Sequence, residues 1–378
     1  MSATEVRKVV ELMVGDDLHA LRVLSLSNAV HGVMAAASLS VCAIGRGLAR
    51  EHHLDPKHAT KQVDRLLSNS GIDTAAAQQQ WARHIVGERK QIVVALDWTE
   101  FDRDGHSTIA LSLVTSHGRA TPLIWKSVGK SELKNQRNDF ETEVIERLHE
   151  ALPTEVEVTL LADRGFGDQK RYAVLDLLGW YYVIRFRSGI FVTDAKGERR
   201  TAKQWLHPSG RSKILHGATV TANRGEVGAV VVTHQKDMKE PWCLAVRMPN
   251  ATAGGAVKLY GKRFTIEETF RDTKDSRFGM GLSASRVRSP ARRDRLLLLA
   301  ALAQSLLTLL GAACEDTGFD RRLKVNTSPK RQHSLLFQGT YWFNYIPRMD
   351  DDELNLLMCA FDARVRQHSV YAAIFGVL

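Results

Sequence analysis

The chain is poor in cysteine, proline and aromatic residues, with 4 Cys, 9 Pro and 7% Phe, Trp and Tyr among 378 positions. Cys42, Cys243, Cys314 and Cys359 lie far apart and form no C-x-x-C pair. That argues against a zinc site and against a disulfide-stapled secreted domain. No charged-then-apolar leader opens the sequence, so a reducing cytoplasm is the expected setting. Internal repeats and low-complexity tracts are absent as well. Long apolar runs are scarce, the exception being Leu296 to Ala313, LLLLAALAQSLLTLLGAA. It approaches the length of a membrane span and follows Arg292, Arg293 and Arg295. Gln304, Ser305 and Thr308 interrupt it and no second span accompanies it, so a buried core helix is expected and no membrane partner.

What is present is a core-forming chain, 44% hydrophobic, long enough for two to four domains. Its 52 Lys+Arg exceed its 42 Asp+Glu, giving a formal net charge of +10. A surplus of that size favours a polyanionic partner, nucleic acid or an anionic membrane surface, and charge alone does not choose between them.

Residues 1–85 have helical texture. Ser38 to Glu51 is an apolar helix, broken at His53-Leu54-Asp55-Pro56, and Lys57 to Leu67 begins another. On that second helix Lys57, Lys61 and Arg65 recur every four residues and share a face. The face is either a DNA-binding surface or an ordinary solvated one. From Gln91 the period changes. Ile92 to Leu96, Thr108 to Thr115 and Thr121 to Val128 read as three consecutive antiparallel strands, separated by the turn signals Asp104-Gly105 and His117-Gly118. A polar helix over Asn138–Ala151 follows, then a strand over Val156–Ala162, a helix over Asp168–Leu178 and a strand over Tyr181–Phe186. This strand-strand-strand-helix-strand-helix-strand order is that of a ribonuclease-H-like α/β core with a mixed five-stranded sheet.

The expected organisation is a helical domain over 1–85, the first part of the core over 86–186, and a β-rich insertion over 187–250. Within the insertion Ile214–Ala222, Gly228–Thr233 and Trp242–Val246 are candidate strands. The second part of the core covers 251–315, and a helical C-terminal region covers 316–378.

Two acids close buried strands: Asp97 ends IVVALD, and Asp163 ends VTLLAD. A carboxylate there is costly unless turn N–H groups or a bound cation compensate it. Each alone reads as a turn cap; on neighbouring strands of this sheet order the pair reads as two ligands of a metal site that needs a third. The helix from Tyr260 offers one. At about 100° per residue, Tyr260, Arg263, Glu267 and Lys274 fall within roughly 60° of one face, and Glu268 is turned away. One acid between two cations and a phenol suits a site that binds a metal and phosphates together. Oxygen-only ligands suit Mg²⁺, with Mn²⁺ as a substitute. Two such ions about 3.5–4 Å apart serve phosphodiester cleavage. Arg286, Arg288, Arg292 and Arg293, which follow this helix, form a second basic cluster that either grips DNA or is solvated.

The spacing Tyr260-x₂-Arg263-x₃-Glu267-x₆-Lys274 resembles the Y-R-E-K signature of transposases of the insertion-sequence-four family. LDWT around Asp97, LLADRGF around Asp163, IEETFRDTKD, LLGWYYVIRFR and KEPWCLA extend the resemblance. HATKQVDRLL is similar to that family's end-binding region, and the likeness is strongest to the Tn-ten-type cut-and-paste enzymes. The resemblance implies a homodimeric DNA transposase that binds the terminal inverted repeats of its element. It further implies catalytic and metal-binding roles for Asp97, Asp163 and Glu267, and phosphate contacts from Tyr260, Arg263 and Lys274. The element ends would be cut through a hairpin intermediate, with Trp242 holding a flipped base, and joined to target DNA. A metal-dependent nuclease or resolvase of the same fold and a non-catalytic DNA-binding relative remain the alternatives.

Overall fold

The computed structural model describes residues 2–15, 18–221, 225–277, 279–328 and 330–366. The last residue of the strand expected over Ile214–Ala222, and the end of the C-terminal region from 367 onward, lie outside the described residues.

Five helices come first: α1 (Ala3–Val14), α2 (Ala20–Ala36), α3 (Val41–His52), α4 (Pro56–Ser68) and α5 (Thr74–Val86). Local chemistry sets their ends. Asp55 accepts the His58 N–H and Pro56 supplies the first turn of α4, while Asp73 accepts from the N–H groups of both Ala75 and Ala76 to open α5. The α3–α4 crossing is close: a Cβ on Gly45 would stand 2.3 Å from the Thr60 hydroxyl.

The strands β1 (Gln91–Phe101), β2 (His106–Val114) and β3 (Ala120–Gly129) form an antiparallel meander. Next come α6 (Arg137–Ala151), β4 (Glu157–Ala162), α7 (Gln169–Leu177) and β5 (Tyr181–Phe186). β4 and β5 add to β1 in parallel, each reached through a helix, giving the order β3-β2-β1-β4-β5.

The next stretch divides between two sheets. β6 (Phe191–Thr193), β7 (Arg199–Thr201), β9 (Thr219–Val220) and β10 (Gly225–Glu226) make a small four-stranded antiparallel sheet. β8 (Lys213–His216), β11 (Ala229–Thr233) and β12 (Trp242–Arg247) instead continue the main sheet, with β12 antiparallel to β5, so among the described residues the main sheet has eight strands. The β-rich segment is thus partly an extension of the core.

Beyond the sheet lie α8 (Ala253–Gly261) and α9 (Thr265–Lys274), joined by a 3-10 turn at Lys262–Phe264. The single helix expected from Tyr260 is therefore two helices with a tightened turn between them. α10 (Pro290–Asp316) carries the long apolar run, opened by a Ser289 cap and Pro290. It is long and apolar enough to cross a membrane, but 89% of its most apolar window is buried inside the protein. α2, α4, α5 and β3 pack around it, together with α11 (Leu335–Tyr345) and α12 (Asp351–Arg366).

Candidate active site

β1 is longer than its apolar run suggested. It continues through Asp97 to Phe101, with Asp97 paired to Ala110 of β2, so Asp97 lies inside the strand and does not end it. The ladder to β4 stops sooner, its last pair being Leu96 with Ala162. Asp97 and Asp163 are each the next residue along, so the parallel register places them side by side where the two strands part. After Asp163 the chain turns through Arg164–Phe166 into α7, which Asp168 caps by accepting the Lys170 N–H.

α8, the turn and α9 lay a row of side chains across these acids. The Tyr260 hydroxyl donates to Asp163 Oδ1 at 3.3 Å. The buried Arg263 guanidinium bridges two carboxylates, with Nη1 at 3.1 Å from Asp97 Oδ2 and Nη2 at 2.7 Å from Glu267 Oε1. Glu268 faces elsewhere, toward Arg271 and Arg119. Lys274 parts from the other three. Its Nζ reaches Thr99 Oγ1 at 3.0 Å and the Glu100 carbonyl at 2.8 Å, and it lies over the Phe101 ring. Thr99 stands two residues beyond Asp97 on the same face of β1.

Trp242, at the start of β12, packs edge-on against Tyr260 with centroids 4.8 Å apart and leans toward Phe264 at 6.1 Å. It is half-buried, and Phe264 is more exposed, at 42%. Two residues that the sequence reading passed over also sit here. Arg185 on β5 is 3.9 Å from Asp163 and 2.9 Å from Glu240, which pairs with Arg164 as well. The signal for Arg185 was a cation inside the otherwise apolar run YYVIRF.

Burial is the main cause that raises the Asp97 pKa, to about 6. Arg263 and the Trp98 N–H pull it down, and the nearby charges of Glu267 and Asp163 push it up again. Burial also works against the Arg263 charge, but Tyr260, Asp97 and Glu267 more than offset it and its pKa rises. The Lys274 pKa is lowered, chiefly by burial. Among the described residues no three His, Cys, Asp or Glu side chains are gathered as a metal-type group. Asp97, Asp163 and Glu267 offer only oxygen donors, the kind a hard divalent cation takes, and the charges of Glu267 and Asp163 add the smaller part of the upward push on Asp97 beside its burial. Arg263 is the positive charge that neutralises two of them in this structure.

The remaining cations lie elsewhere. Lys57, Lys61 and Arg65 are exposed along α4. Arg286 and Arg288 are exposed in the segment before α10, but Arg292 is tied to Asp64 at 2.6 Å, joining α10 to α4. Arg293 is not part of a DNA-facing cluster: it is fully buried over Phe101 and paired with Asp104.

The family model of the transposase DDE domain matches residues 88–306, more than half of the chain, a span that holds Asp97, Asp163, Trp242 and the α8–α9 segment but not α4. The chain belongs to this family. It is a DDE-domain transposase, and the acids, β1, β4 and α9 all lie inside the matched span. A search of curated proteins finds no match to the transposase. Membership of the family implies DNA binding, with which the basic balance of the sequence agrees.

Proposed function

We propose that this transposase is a cut-and-paste enzyme of the insertion-sequence-four type, built on a ribonuclease-H-like core and using Asp97, Asp163 and Glu267 as its catalytic acids. The observation that carries the reading is that Tyr260, Arg263 and Glu267 converge on two strand-borne aspartates from one helical segment. Asp97, Asp163 and Glu267 would hold two Mg²⁺ ions, which would lower the pKa of an attacking water or 3′-hydroxyl and neutralise the leaving oxygen. Arg263, with one Nη on each of Asp97 and Glu267, fixes the separation of these two acids. Tyr260 holds Asp163 in place, and Lys274 sets a positive charge further along the same strand face.

The released 3′-hydroxyl would attack the opposite strand to give a hairpin at the element's end. Trp242, which adjoins Tyr260, would stack on the base displaced by that bend. Terminal inverted repeats would be bound by a homodimer, with α4 and its Lys57, Lys61 and Arg65 among the contacts.

The test uses end-labelled DNA carrying the ends that flank this gene, purified protein and Mg²⁺. Native gels report binding and denaturing gels report cleavage. The expected result is a nick followed by a hairpin-ended product, both lost in Asp97→Ala, Asp163→Ala and Glu267→Ala while end binding persists. Cleavage retained in any one variant removes that residue from the site. Nicked ends without a hairpin would favour the nuclease or resolvase alternative, and binding without any cleavage the non-catalytic one.

A further inference from the structure

The two aspartates are also held from behind. Side chains alternate along β1, so Trp98 points to the opposite face of the sheet from Asp97, toward α6. There its indole N–H donates to Glu141 Oε1 at 2.8 Å, and the Arg137 guanidinium lies over the ring at 4.8 Å. The other oxygen of Glu141 accepts from Arg171 of α7 at 2.7 Å. Arg171 also donates to the Thr142 hydroxyl at 2.9 Å, and Asn138 donates to Asp168, the residue that caps α7, at 2.9 Å. The first two turns of α6 thus grip both the residue after Asp97 and the helix that follows Asp163. Trp98 in turn gives its backbone N–H to Asp97 Oδ1 at 2.9 Å, so a displacement of Trp98 moves that carboxylate.

Glu141 and Arg171 are both buried, at 2% and 3% exposure. A buried ion pair is seldom the most stabilising filling for a core, since apolar side chains of similar volume hold elements together as well or better. The rest of the buried face of α6, Val144, Ile145, Leu148 and Ala151, is filled in that way. What the pair adds is direction. Each oxygen of one carboxylate is committed to a different segment, which fixes a distance that apolar packing leaves loose. We propose that Glu141 is a positioning residue for the metal site, setting the separation of Asp97 and Asp163 through Trp98 and Arg171. This rests on the reading of the two aspartates as metal ligands. Buried on the far face of the sheet, Glu141 acts only through the strand and the helix that carry or follow those ligands.

The experiment measures Mn²⁺ binding to the full chain from the electron paramagnetic resonance signal of the free ion, beside the thermal unfolding midpoint without metal. Trp98→Phe keeps a ring and the ion pair and removes the indole N–H. In Glu141→Gln, Arg171 takes the one remaining oxygen and the amide NH₂ is left facing the indole N–H. Each variant should raise the Mn²⁺ concentration at half-occupancy by about tenfold, the low end of the loss when a support of a metal ligand is removed. The two losses should not add in the variant carrying both, since each breaks the same Trp98–Glu141 bond. Glu141→Leu, Arg171→Met refills the space with apolar atoms; it should unfold no earlier than Glu141→Gln yet bind Mn²⁺ as weakly. Cleavage of end-labelled DNA should return in every variant when the metal is raised in proportion. Wild-type affinity in Trp98→Phe, or its return in Glu141→Leu, Arg171→Met, would overturn the proposal and reduce the pair to a packing role. If Glu141→Gln does not fold, Trp98→Phe and the apolar double variant carry the test. Mn²⁺ binding unchanged in Asp97→Ala would instead count against the aspartates as metal ligands.

Discussion

Arg263 has two jobs in sequence terms but one in space. It is four residues before Glu267, an ordinary helical ion pair, yet its second fork reaches Asp97 from 166 residues away in the chain. Spacing showed the first relation because i,i+4 geometry is local. The second was hidden, since it depends on how α9 docks over β1. The tie between Tyr260 and Asp163 was hidden for the same reason. Asp97 itself was legible as an isolated acid in an apolar run, though its strand extends further because Trp98, Thr99 and Phe101 still pair with β2. Trp242 offers the clearest residue-scale test. If it stacks on a displaced base, Trp242→Ala should slow hairpin formation by roughly 1–3 kcal/mol, about five- to 150-fold, and leave the first nick nearly unchanged. Trp242→Phe should recover most of the loss. Quench-flow time courses separate the two steps, and an equal loss at both would mark the indole as packing against Tyr260 alone.

Among the elements, those read best were the ones with local causes. β1 to β5 and the helices between them followed from apolar runs bounded by Gly, Asp and Pro. The extension of the sheet through β12, β11 and β8 was not legible, because the pairing of β12 with β5 joins segments some sixty residues apart and leaves no local mark. The same holds for the α10–α11 crossing. A Cβ on Gly339 would lie 1.7 Å from the Leu307 carbonyl oxygen, and one on Gly311 would lie 2.0 Å from that of Leu335. Two helices meet there backbone to backbone. Gly339→Ala should force them apart and cost about 1–3 kcal/mol or more, read as a lower midpoint in urea unfolding. A variant as stable as wild type would show that the helices can slide without loss.

At the scale of the whole molecule, stability depends on a carboxyl at the foot of α10. Asp294 accepts the Ser127 N–H of β3 at 2.9 Å, and burial raises its pKa from 3.8 to about 7. The folded state therefore holds this proton more tightly than the unfolded chain does. Its favourable contribution is complete below pH about 4 and is lost as pH rises through about 7. Asp294→Asn, which mimics the protonated form, should match wild type at the acid end and become progressively more stable across that window. Thermal unfolding of both proteins over the same pH series would check it; parallel curves would mean that the carboxyl is not protonated in the fold.

α10 begins at residue 290, yet α2, α4, α5 and β3 all rest on it. During synthesis these surfaces stay uncovered until α10 emerges, because their shared partner has not been made. Any product cut short before that point, by a stop codon or a frameshift, leaves its amino-terminal helices without a floor. Such a fragment exposes to solvent the apolar helix faces that the whole molecule buries against α10.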